Sequence, residues 1–190
     1  MSGKLVVISG PSGAGKTSVC RALKQLPGVE FSVSATTRSP RPGEQPGVDY
    51  HFLARDEFER RARAGEFLEW AEYNGRFYGT PRAPMDRAVA DGRVFLLEIE
   101  VAGTRQLREQ DVPGIYVFIA PPSIGELRAR LERRGTNSAD DIAARVRIAE
   151  AEIAAAGQPC NGRPLYEHTI VNSDLDATIR RVADLIGVPV

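Results

Sequence analysis

Gly10-Pro11-Ser12-Gly13-Ala14-Gly15-Lys16-Thr17 follows directly on the apolar run Leu5-Val6-Val7-Ile8 and satisfies the pattern G-x-x-x-x-G-K-[ST] at every fixed position. Its glycines let the backbone curl so that successive N–H groups face one concavity. That concavity is a nest for anionic oxygens at the start of a helix whose dipole adds positive charge. Gly10, Pro11, Ser12, Gly13, Ala14, Gly15 and Ser18 are therefore expected to cradle the phosphates of a nucleoside triphosphate. Lys16 is expected to reach the β and γ phosphates, and Thr17 to put its hydroxyl on a Mg²⁺ ion bridging them. A plain strand-to-helix turn would need the glycines but not the Lys-Thr pair.

Outward from this loop, strands and helices alternate. Runs rich in β-branched residues at Leu5–Ser9, Phe31–Ser34, Val94–Ile99, Ile115–Ala120 and Thr169–Asn172 read as strands with helical patterns between most of them. The expected fold is α/β, a parallel sheet with helices on both faces. Val94–Leu97 and Ile115–Ile119 are nearly all apolar, as central strands covered on both sides should be. Residues 34–84 read as a separate small lobe of mixed α/β character. It has a Pro/Gly-rich stretch (Pro40, Pro42, Gly43, Pro46, Gly47), a helix over Asp56–Ala64, the alternating segment Phe67–Tyr73 and the turn Asn74-Gly75. Alternation puts Phe67, Glu69 and Ala71 on one face and Leu68, Trp70 and Glu72 on the other, with Trp70 in the core. Residues 123–156 read as two arginine-rich helices broken at Gly135-Thr136-Asn137, a mobile lid. Residues 1–33, 85–122 and 157–190 then make up the core of one domain.

With 190 residues and 42% hydrophobic content the chain can bury one substantial core. Twenty-five basic side chains balance 25 acidic ones, so no global field draws it to nucleic acid or to anionic membrane. Cys20 and Cys160 are too few for a disulfide scaffold or a zinc site and suit a reducing compartment. No apolar run approaches the roughly 18 residues a spanning helix needs. These features predict a cytoplasmic protein with small-molecule partners, and they leave monomer against homo-oligomer open.

The loop alone is compatible with GTPases, ATPases and small kinases. The Asn-Lys-x-Asp guanine motif of GTPases is absent, and a DNA or transport ATPase calls for a larger chain or oligomer signals, which leaves a small kinase. Val94–Ile99 runs into Glu98 and Glu100. Strand side chains repeat every two residues, so both carboxylates are expected on one face at the carboxyl edge of the sheet, where open α/β folds bind ligands. Glu98 is expected to hold Mg²⁺ through water and to stand beside the substrates.

Ser34-Ala35-Thr36-Thr37-Arg38-Ser39-Pro40-Arg41-Pro42-Gly43-Glu44, Asp49-Tyr50-His51-Phe52, Phe67-Leu68-Glu69-Trp70-Ala71-Glu72 and Tyr78-Gly79-Thr80 closely resemble the pattern of the guanylate kinase family. With the phosphate loop and lid, the resemblance spans nearly the whole chain. It implies a P-loop kinase core, ATP with Mg²⁺ as donor, and GMP and dGMP as acceptors. Arg38, Arg41, Tyr50 and Tyr78 would hold the GMP phosphate, supported by Ser34 and Glu44, while Glu69, Thr80 and Glu100 would read the guanine. Lys16, Arg41, Arg134 and Arg145 would form the catalytic set. Arg130, Arg134 and Asn172 would stand at the ATP side, Asn172 by the base.

The chemistry of these residues agrees. Two arginines three positions apart offer forked donors to a phosphate. A carboxylate at Glu69 accepts from guanine N1–H and the 2-amino group together, whereas adenine would leave it unpaired. Arg128, Arg133 and Arg147 read as solvated charge, and His51 and His168 as packing residues. Glu100 stands where the family usually has Asp, Val101-Ala102 replaces a bulkier pair, and Gly157–Pro164 is a longer, Pro/Gly-rich connection that reads as an exposed loop. A ribose bisphosphate kinase would not need Glu69 and Thr80. A non-catalytic guanylate-kinase-like module typically lacks an intact phosphate loop or lid.

Overall fold

β1 (Lys4–Ser9) runs through the middle of a five-stranded, wholly parallel sheet, between β7 (Val94–Glu98) and β8 (Ile115–Ala120), with β2 (Val29–Phe31) and β9 (His168–Val171) at its edges. The computed structural model describes residues 3–133 and 138–189, so Arg134 and the Gly135–Asn137 break lie outside the described residues. Both faces of the sheet are covered. Val6, Ile8, Leu96, Val117 and Ile119 pack under α1 (Lys16–Leu23) and α7 (Leu175–Ile186). Leu5, Val7, Phe95, Leu97 and Phe118 pack under α3 (Arg82–Ala90) and α4 (Val101–Glu109). Residues one apart on a strand thus serve opposite cores, which is why these strands are apolar without alternation. Among the described residues no helix is long and apolar enough to cross a membrane.

Phe31–Ser34 is not one strand. β2 ends at Phe31, Ser32 N–H still donates to Leu96 O at 2.9 Å, and the chain then crosses to a second sheet in the order β4-β3-β6-β5. Its strands are β3 (Ala35–Thr36), β4 (His51–Phe52), β5 (Phe67–Tyr73) and β6 (Arg76–Pro81), and α2 (Arg55–Arg63) packs Phe58 against Phe67 and Phe77. The pairing of β5 with β6 slips between Phe67 and Glu69. Leu68 is the extra residue of this bulge and breaks the expected alternation. Phe67 joins the Phe58–Phe77 cluster, Leu68 enters the main core, and Trp70 turns back to the Phe58 side with its ring edge-on to Phe58 and Phe77. Trp70 stays 42% exposed, so it covers the small cluster without being core.

α5 (Ile124–Arg133) and α6 (Ala139–Ala156) share a cluster of Leu127, Leu131, Ile142, Val146 and Ala149. The last turns of α6 leave that cluster, and Ile153, Ala155 and Ala156 pack on the main core. One helix therefore joins lid to core. The 157–164 connection is more than an exposed loop. Asn161 and Gly162, with φ of 50° and 73°, form a tight turn that bridges Cys160 to Arg163. Cys160 and Leu165 enter the main core on either side of it.

Gly10 ends β1 with φ 148°, and a Cβ there would stand 2.2 Å from Ile119 O. Gly10→Ala is expected to cost at least about 2 kcal/mol, lowering the melting midpoint by about 4–8 °C. An unchanged thermal denaturation curve would mean that the ends of β1 and β8 can part without strain.

Candidate active site

At the carboxyl edge of the central sheet β1 hands the chain to the glycine loop, and α1 starts at Lys16 with no side chain capping its first N–H groups. These orphan donors and the helix dipole form an anion site. Gly15, the N-cap, has φ 98°, and a Cβ on it would lie 2.3 Å from Asn172 Nδ2, so no larger residue fits. Lys16 Nζ donates to Gly10 O at 2.5 Å and to Pro11 O at 3.2 Å, which parks the ammonium inside the loop. Thr17 Oγ1 donates to Glu98 Oε1 at 2.8 Å. The hydroxyl and the carboxylate expected at the metal thus come together from residues 81 positions apart.

Glu98 and Glu100 both stand where β7 gives way to α4 at the carboxyl edge of the sheet. β7 ends at Glu98, and Glu100 becomes the N-cap of α4 in extended conformation. The two carboxylates act on different neighbours. Glu98 serves Thr17, while Glu100 acts electrostatically on Glu69 in the second sheet.

The expected acceptor-phosphate corner is organised around Arg38. Its guanidinium grips Glu44 with two bonds of 3.0 and 2.9 Å, and Glu44 also accepts from Arg41 N at 2.7 Å. These bonds, Arg38 first, hold the Glu44 carboxyl below its usual range and raise Arg38 in turn. Arg38 stands over the Tyr50 ring at 5.4 Å, and Tyr50 meets Tyr78 edge-on at 6.2 Å. Burial pushes the Tyr50 phenol up, keeping it a neutral donor. The Arg41 side chain is exposed and, among the described residues, in no ion pair. Ser34 ties this corner together through its carbonyl, which accepts from His51 N at 2.8 Å. One arginine is therefore locked in place and the other is available to an incoming anion.

Glu69 comes from β5 and Thr80 from its neighbour β6, paired directly across the strands. Thr80 Oγ1 donates to Glu69 Oε1 at 2.6 Å, and Thr80 is fully buried. The other oxygen, Oε2, lies against α4, 2.9 Å from where a Cβ of Gly103 would stand. Burial pushes the Glu69 carboxyl up, the Thr80 hydroxyl opposes this, and Glu100 adds to it. The two acidic residues that flank Glu69 in the same segment are placed elsewhere. Glu66 pairs with Arg61 at 2.8 Å, and Glu72 is exposed.

On the donor side a cleft of about 380 Å³ is lined by Gly13, Gly15, Ser18, Arg130, Arg133 and Asn172. Arg130 binds Glu126 at 3.0 Å and Asn172 O at 2.8 Å. Asn172 is buried. Its amide donates to Ala14 O at 2.7 Å and accepts from Thr178 Oγ1 at 3.1 Å, so it braces the loop from beneath while facing the cleft. Arg133, read from sequence as solvated charge, lines this cleft too. Its position three residues after Arg130 on one helix was the available signal.

Arg145 Nη2 donates to Ser12 Oγ at 2.6 Å, linking lid to loop. Glu152, two turns further along α6, is a residue that the sequence reading missed. Burial pushes its carboxyl up, and nearby Lys16 opposes this. No local pattern marks it, since an acid in the middle of a helix reads as a solvated face.

The family model described as guanylate kinase matches residues 2–188. The chain is 47% identical over 178 residues to the guanylate kinase of Thermosynechococcus vestitus, spanning 93% of this chain and 90% of that protein. To the guanylate kinase of Symbiobacterium thermophilum it is 46% identical over 184 residues, 96% of this chain and 82% of that one. The crystal structure of guanylate kinase from Anaplasma phagocytophilum resembles it with a TM-score of 0.69 at 33% identity, covering 98% of this chain and 85% of that chain. A sugar kinase from Janibacter sp. shares the fold alone, with a TM-score of 0.54 at 16% identity. Likeness of this extent takes in the phosphate loop, the second sheet and the lid helices together, and the chain belongs to the guanylate kinase family.

Proposed function

We propose that this guanylate kinase transfers the γ-phosphoryl group of ATP to the phosphate of GMP through two anion sites, the glycine loop for the donor and the Arg38 corner for the acceptor. The observation that carries the base assignment is the buried Glu69 carboxylate, held by Thr80 at 2.6 Å and open to a ligand bearing two adjacent donors. Guanine offers that pair at N1 and the 2-amino group. Glu100 supplies a second acceptor from the start of α4. Among the assigned residues none reads the ribose 2′-hydroxyl, so dGMP is an acceptor as well. Reaction in the cytoplasm fits two cysteines that are both free and buried.

The acceptor phosphate has a second pKa near 6 and is largely a dianion at neutral pH, so no side chain need deprotonate it. One of its oxygens bonds to the γ-phosphorus of ATP as the bond from that phosphorus to the β-bridging oxygen breaks, leaving ADP and GDP. Catalysis is then alignment and charge neutralisation. Arg38, pre-set by Glu44, with Tyr50 and Tyr78 holds the acceptor phosphate. Arg41 swings in from solvent, Arg145 already reaches the loop at Ser12, and the lid segment supplies Arg134. Lys16 leaves the Gly10 and Pro11 carbonyls for the donor phosphates. Thr17 and Glu98 form an all-oxygen donor pair suited to a hard cation whose other positions go to water and phosphate. When bound there, Mg²⁺ neutralises phosphate charge.

Release of ADP, followed with ATP and Mg²⁺ and each of GMP, dGMP, AMP, UMP and ribose bisphosphate, tests the assignment. GMP and dGMP should turn over. No turnover with GMP, or equal turnover with AMP, would sink it. Arg145→Ala is expected to lower kcat by about 10²–10³-fold with little change in KM for GMP, as for the loss of one pre-organised donor. A change confined to KM would make Arg145 a binding residue instead.

A further inference from the structure

We infer that Gln106 is a positioning residue for guanine recognition: its side-chain amide bridges α4 to the backbone of Trp70 and so fixes where Glu69 stands relative to Glu100. The inference rests on the reading of Glu69 as the base-contacting carboxylate.

β5 is an edge strand of the second sheet and seven residues long, with outward N–H and C=O groups that need cover or solvent. α4 supplies the cover through two side chains one turn apart. Gln106 Oε1 accepts from Trp70 N at 3.2 Å and its Nε2 donates to Trp70 O at 2.9 Å, the pair of bonds a further strand residue would make. Gln110 Nε2 donates to Leu68 O at 3.0 Å, and its Oε1 accepts from Arg82 Nη2 at 3.0 Å. Leu68 and Trp70 flank Glu69, and Leu68 is the bulge residue where the strand register already slips. A strand that has slipped once is the place where a further shift would cost least. The two amides hold it from outside the sheet.

The same helix carries the rest of the pocket. Glu100 is its N-cap, Gly103 is the floor against which Glu69 Oε2 lies, and Gln106 follows. At 1.5 Å per residue the helix sets about 9 Å between the Glu100 and Gln106 positions. It acts as a ruler spanning core and second sheet. Thr80 holds Glu69 Oε1 from within the sheet, but Thr80 moves with β5 and cannot fix the distance to Glu100. Gln106 can. Displacements near 1 Å change rates by about 10²-fold when reacting or recognising groups must align.

The test measures kcat and KM for GMP, AMP and ATP in wild type, Gln106→Ala, Gln106→Met, Gln110→Ala and Glu69→Gln. Both Gln106 variants are expected to raise KM for GMP about tenfold and lower the GMP-over-AMP preference in kcat/KM about tenfold, with kcat and KM for ATP within about twofold of wild type. Gln106→Met keeps the packing of the stem, so a loss it shares with Gln106→Ala belongs to the bonds. An unchanged preference in either folded variant, whatever its melting temperature, overturns the inference and leaves Gln106 a brace for stability. Should both fail to fold, Gln110→Ala, which releases only Leu68, carries the test with a loss of preference of about threefold, and full preference there overturns the inference. Glu69→Gln separates the two ways of failing. If it keeps the preference, the reading of Glu69 is wrong; if it loses the preference while Gln106→Ala does not, only the positioning role falls.

Discussion

Lys16→Ala is expected to lower kcat by at least about 10³-fold, since it removes a full charge rather than a neutral donor from the transferring phosphates. GMP affinity, read by calorimetry without ATP, should stay near wild type because the acceptor corner is built from other residues. The physical case lies in where the ammonium rests. At 2.5 Å from Gly10 O and 3.2 Å from Pro11 O it is held by two carbonyl dipoles. An anionic phosphate offers the ammonium a full opposite charge where the carbonyls offer only dipoles, so the same side chain leaves the loop when the donor arrives. Glu152 stands near enough to Lys16 to act on it electrostatically, but none of the acids is in a direct ion pair with Lys16 among the described residues. Turnover in the variant within tenfold of wild type would remove Lys16 from the catalytic set.

Glu69→Gln should reduce the preference for GMP over AMP by about 10³-fold or more, because a site built around a buried polar pairing rejects ligands that leave it unpaired by about 10⁴–10⁵. The substitution keeps the size of the side chain and an acceptor for Thr80, and removes the charge that faces N1–H and the 2-amino group. A pH series gives an independent reading. Burial raises the Glu69 carboxyl above its usual range near 4.3. Recognition needs the ionised form, so kcat/KM for GMP falls as pH drops through that raised value. The fall due to Glu69 should disappear in Glu69→Gln, leaving only the limb that belongs to the phosphate of GMP near 6. Identical profiles in the two proteins, or full selectivity in the variant, would exclude Glu69 as the reader.

Much of this site was legible because its parts are local. The glycine loop, the Arg38–Glu44 turn and the Asn74-Gly75 hairpin are short segments in which each residue answers a backbone or charge requirement of its neighbours. Central strands announced themselves by unbroken apolar runs. What was misread involved a local rule ending early. The strand reading runs to Ile99, but β7 stops at Glu98 and Glu100 caps α4. Strand period put Leu68 beside Trp70, until one extra residue in the pairing sent Leu68 to the main core and Trp70 to the Phe58 cluster. β-Branched content marks Phe31–Ser34 as strand, but nothing in it says that the chain changes sheets there.

By itself the sequence determined the donor loop, the apolar central strands, and the residue types gathered in the second lobe, since these follow from φ requirements, periodicity and motif spacing. Tertiary structure alone decided which of those residues meet. Thr17 finds Glu98 across 81 positions, Arg145 finds Ser12 across 133, and Asn172 supports Ala14 across 158. Gln106 reaches the backbone beside Glu69 across 36. Such meetings depend on how packed layers bring distant segments together, and no pattern within a segment encodes them.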